Sequence, residues 1–193
     1  MSVEVGAGRA RTDADESNAV RRGTRSGTLA LIVRDVRLLL IALWLGAAVF
    51  FGAVVAPSAF VVLRGFAVLH ANDLAGSIVT RTLAVVNTGG FVISLLLLTS
   101  AFLFRRAVSR RAFYAEITSL VLLLVVTGAG QWIIAAKMLA LRAALGRPID
   151  DVPQNDPLRV AFNSLHGYSV AALGIGIIAA TVALLLIARR GVK

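Results

Sequence analysis

Ser58, Asn87, Gln131, Asn163, His166 and Ser169 are polar side chains within long, largely apolar runs of the chain, and Pro57 stands beside the first of them. Their amides, hydroxyls and one imidazole both donate and accept hydrogen bonds. An uncompensated polar group in hydrocarbon is costly, so these side chains must face one another, water or a ligand. Asn163 and His166 are three residues apart and share a face if their segment is helical. Two readings stand. In one, Asn87, Gln131, Asn163 and His166 form an interhelical hydrogen-bond network that holds the packing. In the other, with Ser169, they line a pocket for a lipid, small molecule or partner subunit, because polar groups converging in an apolar cleft are the usual pattern of a binding site.

Catalysis finds few of its usual groups. No Asp or Glu lies inside any of the four apolar runs given below, which argues against a carboxylate proton relay or a cation-coupled carrier. A Gly-x-Ser-x-Gly elbow is absent, and nothing marks Ser169, three residues after His166, as an activated nucleophile. Zero cysteines exclude a disulfide framework, a thiolate metal site, an iron–sulfur cluster and a covalent c-type haem. The histidines are His70 and His166, so a bis-His haem needs both, or one of them paired across a dimer, and neither has a carboxylate evident to orient it. The expectation is therefore a non-enzymatic protein with no metal and no cofactor.

These residues must be held by elements that cross a membrane. The 193 residues are 58% hydrophobic and 16% charged, where a soluble domain carries about a quarter of its residues as charges, so the solvent is lipid. The mean hydropathy of +0.85 agrees. The net charge of +10 would suggest nucleic acid in a soluble chain. Here the arginines flank apolar segments, where they set orientation and meet anionic lipid head groups, and no nucleic-acid partner is expected.

Runs free of Asp, Glu, Lys and Arg extend over Leu38–Leu63, Thr82–Phe104, Ile117–Ala136 and Val160–Ala188. Each reaches the roughly 20 residues that a helix needs to cross about 30 Å of hydrocarbon. Continuous apolarity favours helices over barrel strands, which alternate over about ten residues. The expected fold is all-α, an integral membrane four-helix bundle over 28–193, preceded by a tail at 1–27 whose Gly, Ser, Thr, Arg and acidic residues lack periodicity. Lys and Arg outside the spans divide 14 to 6 between alternate segments, which puts both termini in the cytoplasm, with Arg105–Arg111 as a cytoplasmic turn. In that orientation Pro57, Ser58, Asn87, Gln131, Asn163, His166 and Ser169 all lie toward the outer half.

The external segments carry helix signals. Asn72 or Asp73 can cap the helix that continues through the second span. The third helix outlasts the bilayer through Lys137–Leu145, Gly146 stops it, and Asp150–Pro157 reads as a loop in which Asp156 caps the fourth helix ahead of Pro157. Ala48, Gly52 and Ala56, and again Ala172, Gly176 and Ala180, stand four apart, a spacing that lets helix backbones approach closely. Trp132 fits an outer aromatic belt, while Trp44 sits in the inner part of span one.

The combination Trp44-Leu45-Gly46-x-x-Val49-Phe50-Phe51, Ala56-Pro57, Phe60, Leu74-Ala75-Gly76 and Phe162-x-x-Leu165-His166-x-x-Ser169 resembles the domain-of-unknown-function 4149 family, a bacterial group similar to transmembrane protein 205. The resemblance covers about Val36 to Ala188. It implies a four-helix membrane protein with no assigned activity and marks Trp44, Gly46, Pro57, Gly76, Phe162, His166 and Ser169 as the matching positions. Family members often carry an Asn four residues after the serine of the last motif, where this chain has Leu173. The expected role is a multi-pass protein of the bacterial inner membrane that binds a lipid, small molecule or partner subunit. An oligomeric permease or channel, and more distantly a haem or metal redox protein, are the alternatives.

Overall fold

The computed structural model describes residues 28–103 and 109–189. The tail expected at 1–27 and residues 104–108 of the arginine-rich turn lie outside the described residues. Four helices are long and apolar enough to cross a membrane: α1 (Thr28–Gly65), α2 (Ala71–Leu103), α3 (Arg110–Leu145) and α4 (Pro157–Ala188). Among the described residues the regular structure is entirely helical, so the chain is all-α, a four-helix membrane bundle.

The chain divides by its contacts into two units, Met1–Arg37 and Leu38–Lys193. In the first, the described residues are helical and the Arg34 guanidinium pairs with neighbouring Asp35 at 2.8 Å. The second holds the packed helices and the candidate site.

In that second unit α3 packs against α2 and α4, and α1 packs against α2. Gly52 and Gly176 bring α1 and α4 together: a Cβ on Gly52 would touch Leu173 at 3.6 Å, and one on Gly176 would touch Trp44 at 3.5 Å. The core runs along the inner faces through Ile41, Trp44, Ala48, Leu97, Leu120, Leu123, Ala180 and Ala183, all buried. Ala48, Gly176 and Ala180 of the two small-residue series are thus buried where helices meet. The outward faces expose Leu39, Val61, Val85, Leu103 and Ile178, an apolar coat that suits lipid and would be a liability in water.

Helix ends follow local chemistry. The Ser109 hydroxyl accepts the Ala112 N–H at 3.4 Å, and an Asp156 carboxylate oxygen accepts the Leu158 N–H at 2.8 Å with Pro157 opening α4. Gly146 ends α3 at φ +62°, where a side chain would be strained. The start of α2 differs from the sequence expectation. Asn72 and Asp73 lie inside the first turn, and the acceptor for their backbone N–H groups is Asp150, from the segment between α3 and α4, at 3.1 and 3.2 Å. That segment is also more than a loop: Ile149–Asp151 forms a 3₁₀ turn, and Ile149 and Val152 are buried, anchoring it to the bundle.

Two helices widen locally to π turns, which sequence patterning did not anticipate. In α1 the turn is Phe51–Val55, where the Ala56 N–H reaches the Phe51 carbonyl five residues back. Pro57 follows two residues after its last residue; it has no N–H and its ring crowds the carbonyl four residues earlier, so the extra residue relieves the clash. In α3 the turn is Gly130–Ile134, with the Ala135 N–H on the Gly130 carbonyl.

Candidate functional site

Both π turns face the same space. A cavity of about 250 Å³ lies between the four helices, with Gly52 of the first π turn and Gln131 of the second on its wall. Thr80, Asn87, His166 and Ser169 complete its polar lining, and Phe51, Leu83 and Leu173 supply much of the apolar remainder. The structure thus brings Asn87, Gln131, His166 and Ser169 around one chamber. Pro57 lines it as well, while Ser58 does not.

The polar groups are not spent on one another. Among the described residues the side chains of Asn87, Gln131, Asn163, His166 and Ser169 take part in no hydrogen bond, and Gln131 Oε1 is buried without a partner. An interhelical network would join them; these side chains instead end at the cavity. Likewise no hydrogen bond links Ser169 to His166, so no nucleophile–base pair is formed. Asn87 and Ser169 are buried and Gln131 half-buried, whereas Asn163 and His166 are exposed. Gly52 and Pro57 on α1, and His166 and Val170 on α4, are exposed while lining the chamber, so it is open alongside these helices at the depth of the apolar runs.

A second cavity of about 310 Å³ adjoins it toward the connections between α1 and α2 and between α3 and α4. The two share Phe60, Val79, Thr80, Met138 and His166, so His166 stands where a vestibule meets the chamber. Asn163 lines the vestibule only. Around it stand residues that sequence reasoning missed: Arg142, Asp150 and Arg159.

Arg142 is the most connected. Its Nη1 donates to the Ser77 hydroxyl at 3.0 Å, its Nη2 donates to the Asp73 carbonyl at 3.3 Å and lies 3.5 Å from the Asp73 carboxylate, and its guanidinium lies 5.6 Å from the Phe162 ring centre. Asp150 accepts from the Asn72 amide at 2.6 Å besides the two backbone N–H groups of α2. Burial raises its pKa, but the Asn72 amide, the backbone N–H groups of Asp73 and Asn72 and the nearby His70 together hold it below the ordinary 3.8. His70 itself has φ 55°, in the left-handed region, and its Nδ1 lies 3.6 Å from the Asp151 carboxylate. Arg159 donates to the Val152 carbonyl. One signal for Arg142 was available: Gln131, Ala135, Met138 and Arg142 step by four, three and four, and so share one face of α3.

The motif positions find different places. Gly76 and Phe162 both surround Arg142, and Pro57 follows the first π turn. Trp44 is buried and its indole N–H donates to the Val86 carbonyl at 2.8 Å, a central role that the sequence did not suggest. Gly46 is exposed, and a Cβ there would meet nothing within 4 Å. Trp132 is exposed and packs edge-on against Phe91 at 4.7 Å.

Gly76 illustrates how sterics here separate position from stability. A Cβ on it would lie 2.6 Å from Arg142 Nη2, the far end of a flexible side chain that can swing away. Gly76→Ala is therefore expected to leave unfolding within about 1 kcal/mol of the parent, since helix propensity gained offsets hydrogen bonds lost. It should instead release Arg142 from Ser77, Asp73 and Phe162. Faster phenylglyoxal modification of Arg142, mapped by peptide mass, is the readout, and an unchanged rate would contradict the assignment.

A helical membrane bundle with a partly polar cavity between its helices is a class of architecture shared by many unrelated proteins. The comparison with protein families narrows it: the family model for a domain of unknown function (DUF4149) matches residues 39–146, and the chain belongs to that family. The match spans most of α1 and all of α2 and α3 and ends before α4, so it is shorter than the expected Val36–Ala188 and leaves out Phe162, His166 and Ser169. No curated protein and no solved structure matches the chain.

Proposed function

We propose that this multi-pass membrane protein is a non-enzymatic binding protein of the bacterial inner membrane, whose chamber receives a lipid or another amphiphilic small molecule. The observation that carries this reading is the set of Asn87, Gln131, His166 and Ser169 around one cavity with no hydrogen bond among them. Asn87 and Ser169 are buried and Gln131 Oε1 is buried without a partner; buried polar groups in native proteins are satisfied, so the partners of these belong to what fills the cavity. The opening beside α1 and α4 supports entry from the lipid phase. The 14 to 6 division of Lys and Arg supports an orientation with both termini in the cytoplasm and the vestibule on the outer side.

Native mass spectrometry of protein released from lipid nanodiscs tests the reading. The parent chain is expected to retain a discrete adduct that both His166→Ala and Gln131→Ala lose. An adduct-free spectrum, with the variants differing only in stability, would mean that these residues serve packing alone. Orientation has its own test. A reporter fused after Lys193 should be active in its cytoplasmic form, and activity confined to the periplasm would invert the arrangement.

A further inference from the structure

We infer that the ligand of this site is a membrane lipid with an anionic head group, seated with its head in the vestibule between Arg142 and Arg159 and its chain in the chamber below. The inference rests on the binding role proposed above and adds the chemical class of what is bound.

The charge of the vestibule is the first argument. Its wall carries two guanidinium groups and one carboxylate, that of Asp150. The carboxylate is already committed to the Asn72 amide and to two backbone N–H groups of α2. Arg142 reaches the carboxylate of Asp73 only at 3.5 Å, and its Nε is buried with no partner. Arg159 donates to the neutral Val152 carbonyl and, among the described residues, forms no ion pair. Arg159 is therefore a guanidinium with no carboxylate on it and with N–H groups left free, and such a group is suited to phosphate or carboxylate oxygens.

Depth is the second argument. Arg142 lies six residues beyond Ala136, where the third apolar run ends, which places it about 9 Å outside the hydrocarbon edge, at the level of lipid head groups. Asn163 and His166 follow Arg159 along α4 by four and seven residues, about 6 and 10 Å deeper, where the linkage between head and chain would lie. Below them, Phe51, Leu83 and Leu173 offer apolar wall. A free inorganic anion would leave that wall empty, whereas a lipid fills both compartments, and the chamber is open at membrane depth beside Gly52, Pro57, His166 and Val170.

The full chain is reconstituted into nanodiscs of equal parts phosphatidylglycerol and phosphatidylcholine with identical acyl chains, and the retained lipid is weighed by native mass spectrometry. Retention should favour phosphatidylglycerol by about tenfold, the scale of one charge-assisted hydrogen bond. Arg159→Gln and Arg142→Gln should each reduce that preference severalfold; Arg159 has the fewer structural contacts, so its variant remains informative if Arg142→Gln fails to fold. Equal retention of the two lipids, or a preference unchanged in Arg159→Gln, would overturn the head-group assignment while leaving the binding pocket in place. Retention of neither lipid would overturn both. In a second arm, inorganic phosphate is added to detergent-solubilised protein while thermal unfolding is followed. Protection equal to that from phosphatidylglycerol would overturn the lipid in favour of a small-anion site, and weaker protection supports it.

Discussion

Gly90→Ala is expected to destabilise the protein by about 2 kcal/mol, although helix propensity alone would favour alanine there by up to about 1 kcal/mol. The sign is decided by what the new methyl group meets. A Cβ on Gly90 would lie 2.7 Å from the indole nitrogen of Trp44 and 2.8 Å from Thr127 Cγ2. Neither neighbour is a loose end: Trp44 is buried, and its N–H is held by the Val86 carbonyl at 2.8 Å. That carbonyl is four residues before Gly90, so it is also the ordinary helical acceptor for the Gly90 N–H, and the indole reaches it only because position 90 has no side chain.

The adjacent glycine supplies the control. At Gly89 a Cβ would meet Trp44 Cδ1 at 3.8 Å, an ordinary contact, so Gly89→Ala should be neutral or slightly stabilising. Combining Gly90→Ala with Trp44→Phe should recover part of the loss, because the smaller ring vacates the indole nitrogen while Thr127 still crowds the site. Unfolding in mixed detergent micelles, analysed as a double-mutant cycle, should show a coupling of about 1 kcal/mol. Additive losses, or equal effects at 89 and 90, would mean that the indole does not sit against this backbone.

The second large effect concerns the join between the connection of α3 to α4 and the start of α2. Asp150→Ala removes the acceptor for two first-turn N–H groups and for the Asn72 amide, and should cost about 1 to 2 kcal/mol at neutral pH, the range of a lost helix cap. Its pH dependence follows from the depressed pKa. Because Asp150 gives up its proton more readily when folded, its contribution is complete above the ordinary carboxylate value of 3.8 and is lost as pH falls through the lower folded value. The difference in stability between the parent and Asp150→Ala should therefore be full above the ordinary carboxylate value of 3.8 and shrink progressively as pH is taken below it. A difference that stayed constant across this range would locate the role of Asp150 in packing instead of charge.

The four long apolar helices were legible because lipid imposes a rule that a single segment satisfies by itself: every residue across the hydrocarbon must be apolar or compensated, and a helix closes its own backbone hydrogen bonds. The same rule exposed Asn87, Gln131, Asn163, His166 and Ser169, since a polar side chain in such a run is conspicuous. The caps at Asp156 and Gly146 were legible because they act within a few residues of chain.

What lay beyond the sequence involves partners far along the chain. Asp150 looked like one acid in a polar loop, yet it caps a helix that begins 79 residues earlier at Ala71, which only the folding of that loop onto α2 decides. Arg142 lies in the part of α3 beyond the apolar run, and its contacts with Ser77 and Phe162 depend on which faces of α2 and α4 turn toward it. Trp44 stood out in the sequence as a motif position, but what it packs against emerged only once Gly90 was found against its ring. The two π turns shift the faces of α1 and α3 and set Gly52 and Gln131 on one cavity wall, a change of register that no 3.6-residue periodicity encodes. The sequence by itself thus determined that four helices cross a membrane and which polar residues they carry inside it, because both follow from local transfer energetics. Only the tertiary structure decided that these residues surround a shared chamber without bonding to one another, because rotation, depth and register between helices are set by long-range packing.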